Sequence, residues 1–216
     1  MAFSSLAEID NYMKENICEF WEAVIREEAR DSQQPEMDIV NRMTQMYRAM
    51  KEADETYDDT LTSHSGLSGK NGKRMADYAA THKCMCGEFG GAVMARAIKM
   101  AESNACMKRI VAAPTAGSCG VVPAILITYE RMTNTSENDM VKALFVAAGI
   151  GDVIARRASI SGARGGCQAE IGASSAMAAG ALAWLKSGSS HLITQAAAMA
   201  LKSLLGLVCD PVAGLV

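Results

Sequence analysis

Two cysteines lie in settings that suit a metal cluster. Cys167 follows a Gly-Gly pair and Cys209 precedes an Asp-Pro pair, and each lies at the edge of a long apolar segment. Glycine lets the backbone wrap around a bulky inorganic group, and nearby N–H groups can donate hydrogen bonds to its sulfides. A helix N-terminus also favours the thiolate form that a metal needs. Spacing alone leaves open the alternative that both side chains are small buried hydrophobic groups.

A Gly/Ser/Thr-rich loop precedes an apolar segment in the middle of the chain. Residues 113–120 read APTAGSCG, and the apolar run 121–129 follows. Because free N–H groups and the helix dipole converge at the start of a helix, such a loop suits a carboxylate or a phosphate. It lacks the Gly-Lys-Ser/Thr ending of a Walker A loop and the G-x-G-x-x-G pattern, which argues against a nucleotide site. The candidate anion-binding residues are Thr115, Ala116, Gly117 and Ser118.

A second polar loop lies earlier in the chain. Residues 60–72 read TLTSHSGLSGKNG, a composition typical of consecutive turns. Its backbone N–H groups and hydroxyls could line a pocket for an anion. Within it, His64 is a candidate general base because imidazole titrates near neutral pH. The alternative is that His64 is an ordinary solvent-exposed loop histidine.

The segments that must position these loops have the pattern of helices. Apolar residues recur at spacings of three and four in the first sixty residues, with a polar break at 31–35. Residues 159–166 form another Gly/Ser-rich loop, and the β-branched run 109–111 is the single strand candidate. We therefore predict a compact all-α fold, one domain over residues 1–216. The predicted helices cover 7–28, 37–54, 73–82, 90–104, 121–129, 137–157 (interrupted at Gly149 and Gly151), 174–185 and 191–207.

Composition excludes several classes of protein. The net charge of −3 and the lack of a basic half argue against nucleic-acid binding. The longest uncharged stretch, 171–185, is shorter than the roughly 20 residues of a membrane span. The start of the chain lacks the features of a signal peptide, so we expect a cytoplasmic protein. Seven cysteines in such a chain argue against a disulfide framework.

Four ordered motifs resemble those of the iron–sulfur-dependent L-serine dehydratases. Residues 113–124, APTAGSCGVVPA, are similar to the family's APTAGSAG-V-P segment. Residues 159–170 resemble its SISGA-x-GGCQAE, and residues 205–215 match its LGLVCDPVAGL. Residues 61–69 resemble its TS-x-TGLTGGD loop, although Lys70-Asn71 stands where the family usually has Gly-Asp. Arg156-Arg157 likewise stands where asparagines are common.

The resemblance implies a chemistry for these residues. It implies deamination of L-serine to pyruvate and ammonia by a [4Fe–4S] cluster whose open iron acts as a Lewis acid on the substrate hydroxyl. Cys167 and Cys209 would be cluster ligands. The Thr115–Ser118 loop would bind the substrate carboxylate. The loop residues Ser63, Ser65 and Gly66 would orient the substrate.

The resemblance also implies partners for the chain. A third cluster cysteine is expected shortly after the DPVAGL segment, and the chain ends at Val216 before reaching one. We therefore interpret the chain as truncated, and expect it to hold no intact cluster and to be inactive alone. The S-S-S-H-T-x-G-P motif of a second region is missing from the sequence, as in the two-subunit type with a separate β subunit. A homo-oligomer is also left open.

Two other functions are compatible with parts of the sequence. A pyridoxal-phosphate dehydratase would need a Schiff-base lysine and a phosphate loop on an α/β fold. Lys70 and Lys73 lie near glycines, but the alternating strands are missing. A non-catalytic helical binding module would use its cysteines only as core residues, and predicts that no iron is bound after anaerobic reconstitution.

Overall fold

The structure of the chain, a computed structural model, describes residues 3–207. In that range it contains nine α-helices and no strand, which confirms the predicted all-α fold. The pyridoxal-phosphate alternative, which needs an α/β fold, is disfavoured by this architecture. The helices are α1 (Leu6–Asn16), α2 (Phe20–Ser32), α3 (Glu36–Glu55), α4 (Asn71–Ala79), α5 (Gly87–Ala105), α6 (Val121–Thr133), α7 (Glu137–Arg157), α8 (Gly162–Ser187) and α9 (Ser190–Ser203).

The first predicted helix, 7–28, is in fact two helices. Ile17 adopts a left-handed conformation with φ of 49°, and a residue in this region ends a helix. The next helix then starts with a cap, because the Glu22 carboxylate accepts a hydrogen bond from the Glu19 N–H at 2.8 Å. The periodic apolar pattern runs through both helices, so it does not reveal the break.

The described part of the chain divides into two compact units, residues 3–45 with 137–207 and residues 46–136. In the first unit, α7 packs against both α2 and α8, and α8 packs against α9. The glycines of α7 permit close approach: a Cβ at Gly149 would lie 2.6 Å from Val24, and one at Gly151 would lie 2.8 Å from the Met177 sulfur. The predicted interruption of α7 at its glycines is therefore wrong, since these glycines serve helix packing inside a continuous helix.

In the second unit, α5 packs against α4 on one side and α6 on another. Gly72 at the start of α4 and Gly120 just before α6 both touch the α5 backbone. A Cβ at Gly72 would lie 3.0 Å from the Lys99 backbone nitrogen, and one at Gly120 would lie 2.5 Å from the Ala97 carbonyl oxygen. The last residues of both Gly/Ser-rich loops of this unit therefore pack against helix α5.

The predicted loop 159–166 is partly helical. Helix α8 already begins at Gly162, and its backbone is non-helical at Gly166, with φ of 71° and ψ of −177°. Such a conformation is open to glycine and disfavoured for other residues. The strand candidate 109–111 has no regular structure. Among the described helices, none has the length and apolarity that a membrane crossing requires.

Candidate active site

The early polar loop is held together mainly by one serine. The Ser63 N–H donates to the Ser68 carbonyl at 2.8 Å, and the Ser63 carbonyl accepts from the Gly66 N–H at 2.8 Å. The Ser63 hydroxyl lies 3.1 Å from the Ser65 hydroxyl and accepts from the Ser68 N–H at 3.1 Å. Gly66 has a φ of 73°, which favours glycine. Ser63 therefore fixes the loop, while Ser65 and His64 are exposed on it.

The end of this loop requires a second glycine. Gly69 has a φ of 148°, and a Cβ at this position would lie 2.6 Å from the Leu61 carbonyl oxygen. Any side chain at residue 69 would thus be strained and would collide with backbone. The loop is consequently closed over itself immediately before α4.

A buried carboxylate anchors this loop to α5. Glu102 is only 4% exposed and accepts hydrogen bonds from the N–H groups of Asn71 and Gly72, at 2.8 and 3.0 Å. The Tyr57 hydroxyl donates to the same carboxylate at 2.6 Å. Because α4 begins at Asn71, Glu102 satisfies the unpaired N–H groups of its first turn and complements its dipole.

The protonation of Glu102 follows from these contacts. Burial raises its pKa, but the hydrogen bonds from Tyr57, Gly72 and Asn71 outweigh burial and leave the pKa below its ordinary value. Burial and the hydrogen bond to Glu102 raise the pKa of Tyr57. Glu102 is therefore a carboxylate and Tyr57 a neutral phenol near neutral pH.

The 113–120 loop is anchored two residues further along α5. The Asn104 side-chain amide donates to the Ala116 carbonyl at 3.1 Å. The Ser118 hydroxyl is buried, lies 3.0 Å from the Thr115 hydroxyl and accepts from the Thr115 N–H at 3.3 Å. The Ser118 side chain therefore shapes the loop from within and is not presented to solvent.

The exposed part of this loop presents unpaired donors. Ala116 and Gly117 are exposed, and within residues 3–207 their backbone N–H groups have no hydrogen-bond acceptor. Consecutive free N–H groups in a turn form a concavity that suits an anion. These donors lie a few residues before α6, whose N-cap Gly120 provides no side-chain cap. The arrangement can bind a carboxylate.

The first cysteine candidate lies in the other unit. Cys167 is half-buried and follows directly the break in α8 at Gly166. The Gln168 side chain accepts a hydrogen bond from the Gly206 N–H at 3.0 Å, so the segment that leads toward Cys209 is tied beside Cys167. Cys209 itself lies outside the described residues. Within 3–207 no group of three or more His, Cys, Asp or Glu side chains could hold a metal ion.

The candidate residues therefore fall into two sets. The second unit holds the loop residues Ser63, His64, Ser65, Gly66 and 115–118, and both loops are fixed to the C-terminal half of α5. Cys167 belongs to the first unit. The anchoring residues themselves were not predicted from the sequence. The signal for them was the placement of Glu102 and Asn104 in an otherwise Ala- and Met-rich helix, where a polar side chain must find a partner.

Comparison with known protein families assigns the chain to one of them. Residues 15–216 match the family described as Serine dehydratase alpha chain. The chain belongs to this family. Its four motifs are therefore those of a serine dehydratase α chain.

Relatives with similar sequences have consistent names. The chain is 37% identical over 214 residues to the "Probable L-serine dehydratase, alpha chain" of Bacillus subtilis (strain 168), which covers 99% of this chain and 71% of that protein. It is 37% identical over 212 residues to the "L-serine dehydratase, alpha chain" of Peptoniphilus asaccharolyticus, with 97% and 72% covered. "L-serine dehydratase 1" of Escherichia coli (strain K12) is 46% identical over 119 residues, 55% of this chain and 26% of that protein.

Proposed function

We propose that this chain is the α subunit of an L-serine dehydratase, which converts L-serine to pyruvate and ammonia together with a separate β subunit. The observation that carries the proposal is the pair of family-type loops fixed on α5, one of which presents free N–H groups. The names of the relatives indicate L-serine as the substrate, and the designation "alpha chain" indicates a separate β subunit as the partner.

The carboxylate of L-serine binds at the exposed end of the 113–120 loop. The N–H groups of Ala116 and Gly117 donate to it, and the start of α6 adds a favourable dipole. Ser118 and Thr115 keep the loop in shape through their mutual hydroxyl contact. Asn104 fixes the loop to α5.

The 60–72 loop orients the rest of the substrate. Ser63 and Gly66 set its conformation, and the hydroxyl of Ser65 is exposed on it. Glu102 holds the end of the loop in place through α4. His64 is exposed on the same loop and is our candidate for the base that removes the Cα proton.

The metal chemistry of the reaction is that of a [4Fe–4S] cluster, with Cys167 and Cys209 as ligands. The half-buried Cys167 thiol, beside the Gly166 break, has the donor type and the backbone room that a cluster ligand needs. When bound, the cluster supplies a Lewis-acidic iron for the substrate hydroxyl. Gln168, the residue after Cys167, accepts a hydrogen bond from the Gly206 N–H.

The reaction balances without an oxidant or a reductant. The base takes the Cα proton of L-serine, the Cα–H electrons form the Cα–Cβ double bond, and hydroxide leaves from Cβ. The resulting aminoacrylate tautomerises to an imine. Water then adds to the imine and releases ammonia and pyruvate, so the water lost in the first stage is regained in the second.

Anaerobic reconstitution tests the proposal. The full-length α chain, with the third cluster cysteine that the resemblance implies, is incubated with iron, sulfide and a serine dehydratase β chain, and pyruvate formed from L-serine is measured. We expect activity only when both chains are present, and a large loss of kcat in the variant His64→Gln if His64 is the base. No pyruvate from a mixture with full iron loading would refute the assignment of activity.

A further inference from the structure

The first turn of α8 folds back toward the residues that follow its break. In a regular helix, Gly162 and Glu170 would lie about 12 Å apart along the axis, and only residues three or four apart are neighbours. Here the Glu170 side chain reaches Gly162, because a Cβ at Gly162 would lie 2.6 Å from the Glu170 Oε2 and 3.2 Å from its Cδ. The non-helical backbone at Gly166 allows this return.

A second contact crosses the same break. A Cβ at Gly165 would lie 2.6 Å from the Ala169 Cβ, whereas the Cβ atoms of residues four apart in a regular helix are separated by about 5–6 Å. Cys167 lies between these two contacts in sequence, at the first position after the break. The orientation of its side chain therefore depends on how the turn 162–165 is held against residues 169–170.

The carboxylate of Glu170 is suited to hold this turn. The Glu170 side chain is half-buried and its carboxylate lies beside the first residue of α8. The first N–H groups of a helix have no partner within the helix, and its dipole favours a negative charge there. A side chain at residue 162 would take the place of the carboxylate, so Gly162 leaves the space that Glu170 fills.

We propose that Glu170 is a positioning residue for Cys167. Its carboxylate holds the first turn of α8 through the space at Gly162 and thereby keeps the Cys167 thiol half-buried in one orientation. A thiol that is already ordered loses less conformational freedom when it binds a metal. The inference rests on the proposed role of Cys167 as a ligand and goes beyond it, because neither Gly162 nor Glu170 has a part in the proposed reaction.

Alkylation of Cys167 by iodoacetamide, measured by peptide mass spectrometry before any iron is added, tests the positioning. We expect Glu170→Ala to raise the alkylation rate about tenfold, because loss of a contact made by a charged group frees the turn and exposes the thiol. Gly162→Ala should act similarly, since helical backbone accepts alanine and the new methyl group displaces only the flexible end of Glu170. An unchanged rate in either variant would overturn the proposal.

The double variant Gly162→Ala/Glu170→Ala connects the effect to this contact. Once the carboxylate is removed, the methyl group at residue 162 displaces nothing, so the double variant should react no faster than Glu170→Ala alone. If the two effects instead multiplied to about a hundredfold, the substitutions would act separately and the proposed contact would be refuted. The matched control Ala163→Ser adds one atom at the neighbouring exposed position and should keep the rate of the unaltered chain.

Two further measurements distinguish positioning from a general loosening of the fold. Cys18 is another half-buried thiol of the first unit, so its alkylation rate should be the same in all these variants. An equal rise at Cys18 would refute a specific role for Glu170. Glu170→Gln keeps the size of the side chain and one carbonyl acceptor, so it should raise the Cys167 rate much less than Glu170→Ala. Equal rises in these two variants would also count against the proposal.

Iron loading connects the positioning to the proposed function. In the full-length α chain reconstituted with the β chain, Glu170→Ala should retain less iron per chain than Glu170→Gln. Equal iron contents in the two variants, in a preparation where the unaltered chain is loaded, would contradict the positioning role. If the unaltered chain bound no iron, the proposed cluster would fail, while the alkylation rates would still decide the role of Glu170.

Discussion

The loop-bearing second unit and the cysteine-bearing first unit position their candidate residues in different ways. In the second unit, polar side chains of α5, Glu102 and Asn104, hold each loop by direct hydrogen bonds. In the first unit, Cys167 is positioned by a break in a helix whose glycines pack closely against neighbouring side chains. A small anion needs fixed N–H donors, whereas a cluster needs room around the backbone, and the two units match these two requirements.

The largest expected effect comes from removing the candidate thiolate of the first unit. We expect Cys167→Ser to lose bound iron and to lower kcat for L-serine by on the order of a hundredfold or more, since a Lewis-acidic metal contributes several kcal/mol. Iron content and pyruvate formation are measured after reconstitution of the full-length α chain, with the third cluster cysteine that the resemblance implies, together with the β chain. The control Cys106→Ser changes another half-buried cysteine outside the motifs. It should retain normal iron content and normal pyruvate formation. Normal iron binding in Cys167→Ser would remove it from the ligand set.

The next largest effect comes from the buried carboxylate of the second unit. Glu102→Ala leaves the N–H groups of Asn71 and Gly72 and the Tyr57 hydroxyl without their acceptor, so we expect a loss of about 3 kcal/mol in unfolding free energy. Tyr57→Phe removes one of these bonds and should cost about 1 kcal/mol. Urea unfolding measures both changes. Equal effects of the two variants would mean that Glu102 is not the anchor of α4.

In both units the sequence predicts the long helices better than the local geometry and the long-range contacts. The long segments with apolar periodicity, such as 137–157, predict helices correctly because that periodicity coincides with the packing that stabilises them. The break at Ile17 and the start of α8 at Gly162 were missed, because both depend on local backbone geometry that periodicity does not record. The contact of Glu102 with Asn71 spans 31 residues, and no local pattern contains such a pairing.

The candidate site is likewise only partly predictable from the sequence. The motif residues were recognisable as a group, but the sequence does not tell which side chains face the ligand. Ser118 is a predicted substrate-binding residue, and the structure places its hydroxyl inside the loop, 3.0 Å from the Thr115 hydroxyl. The free N–H groups of Ala116 and Gly117 are backbone features that any sequence could provide, so only the fold reveals them.

An intermediate effect is expected for charge in the substrate loop. Ala116→Asp adds a carboxylate beside the free N–H groups, so it should repel the substrate carboxylate and raise KM about tenfold. Ala116→Asn has nearly the same size without the charge and serves as the matched control. Steady-state kinetics on L-serine distinguish the two. If both variants raised KM equally, shape and not charge would explain the result, and the anion-binding role of the loop would fail.

The smallest expected effect is a pH dependence that originates at Glu102. Its pKa lies below the ordinary value of 4.5 in the folded chain, because three hydrogen bonds favour the carboxylate more than burial disfavours it. The folded state therefore binds fewer protons at this site than the unfolded state. The resulting stability is fully present above pH 4.5 and is lost as the pH falls through the lowered pKa.

The variant Glu102→Gln isolates this contribution. Asp10 and Asp58 also have lowered pKa values, from hydrogen bonds with Lys14 and Thr60, so acid destabilises the unaltered chain at several sites. Glu102→Gln retains those sites and loses only the titration of residue 102. The difference in thermal midpoint between the two proteins should thus be constant from pH 7 to about pH 5 and should shrink below pH 4.5. If the difference in thermal midpoint were instead independent of pH until the protein unfolds, the charge of Glu102 would not contribute to stability. The contrast between a charge-anchored unit and a glycine-packed unit would then no longer hold.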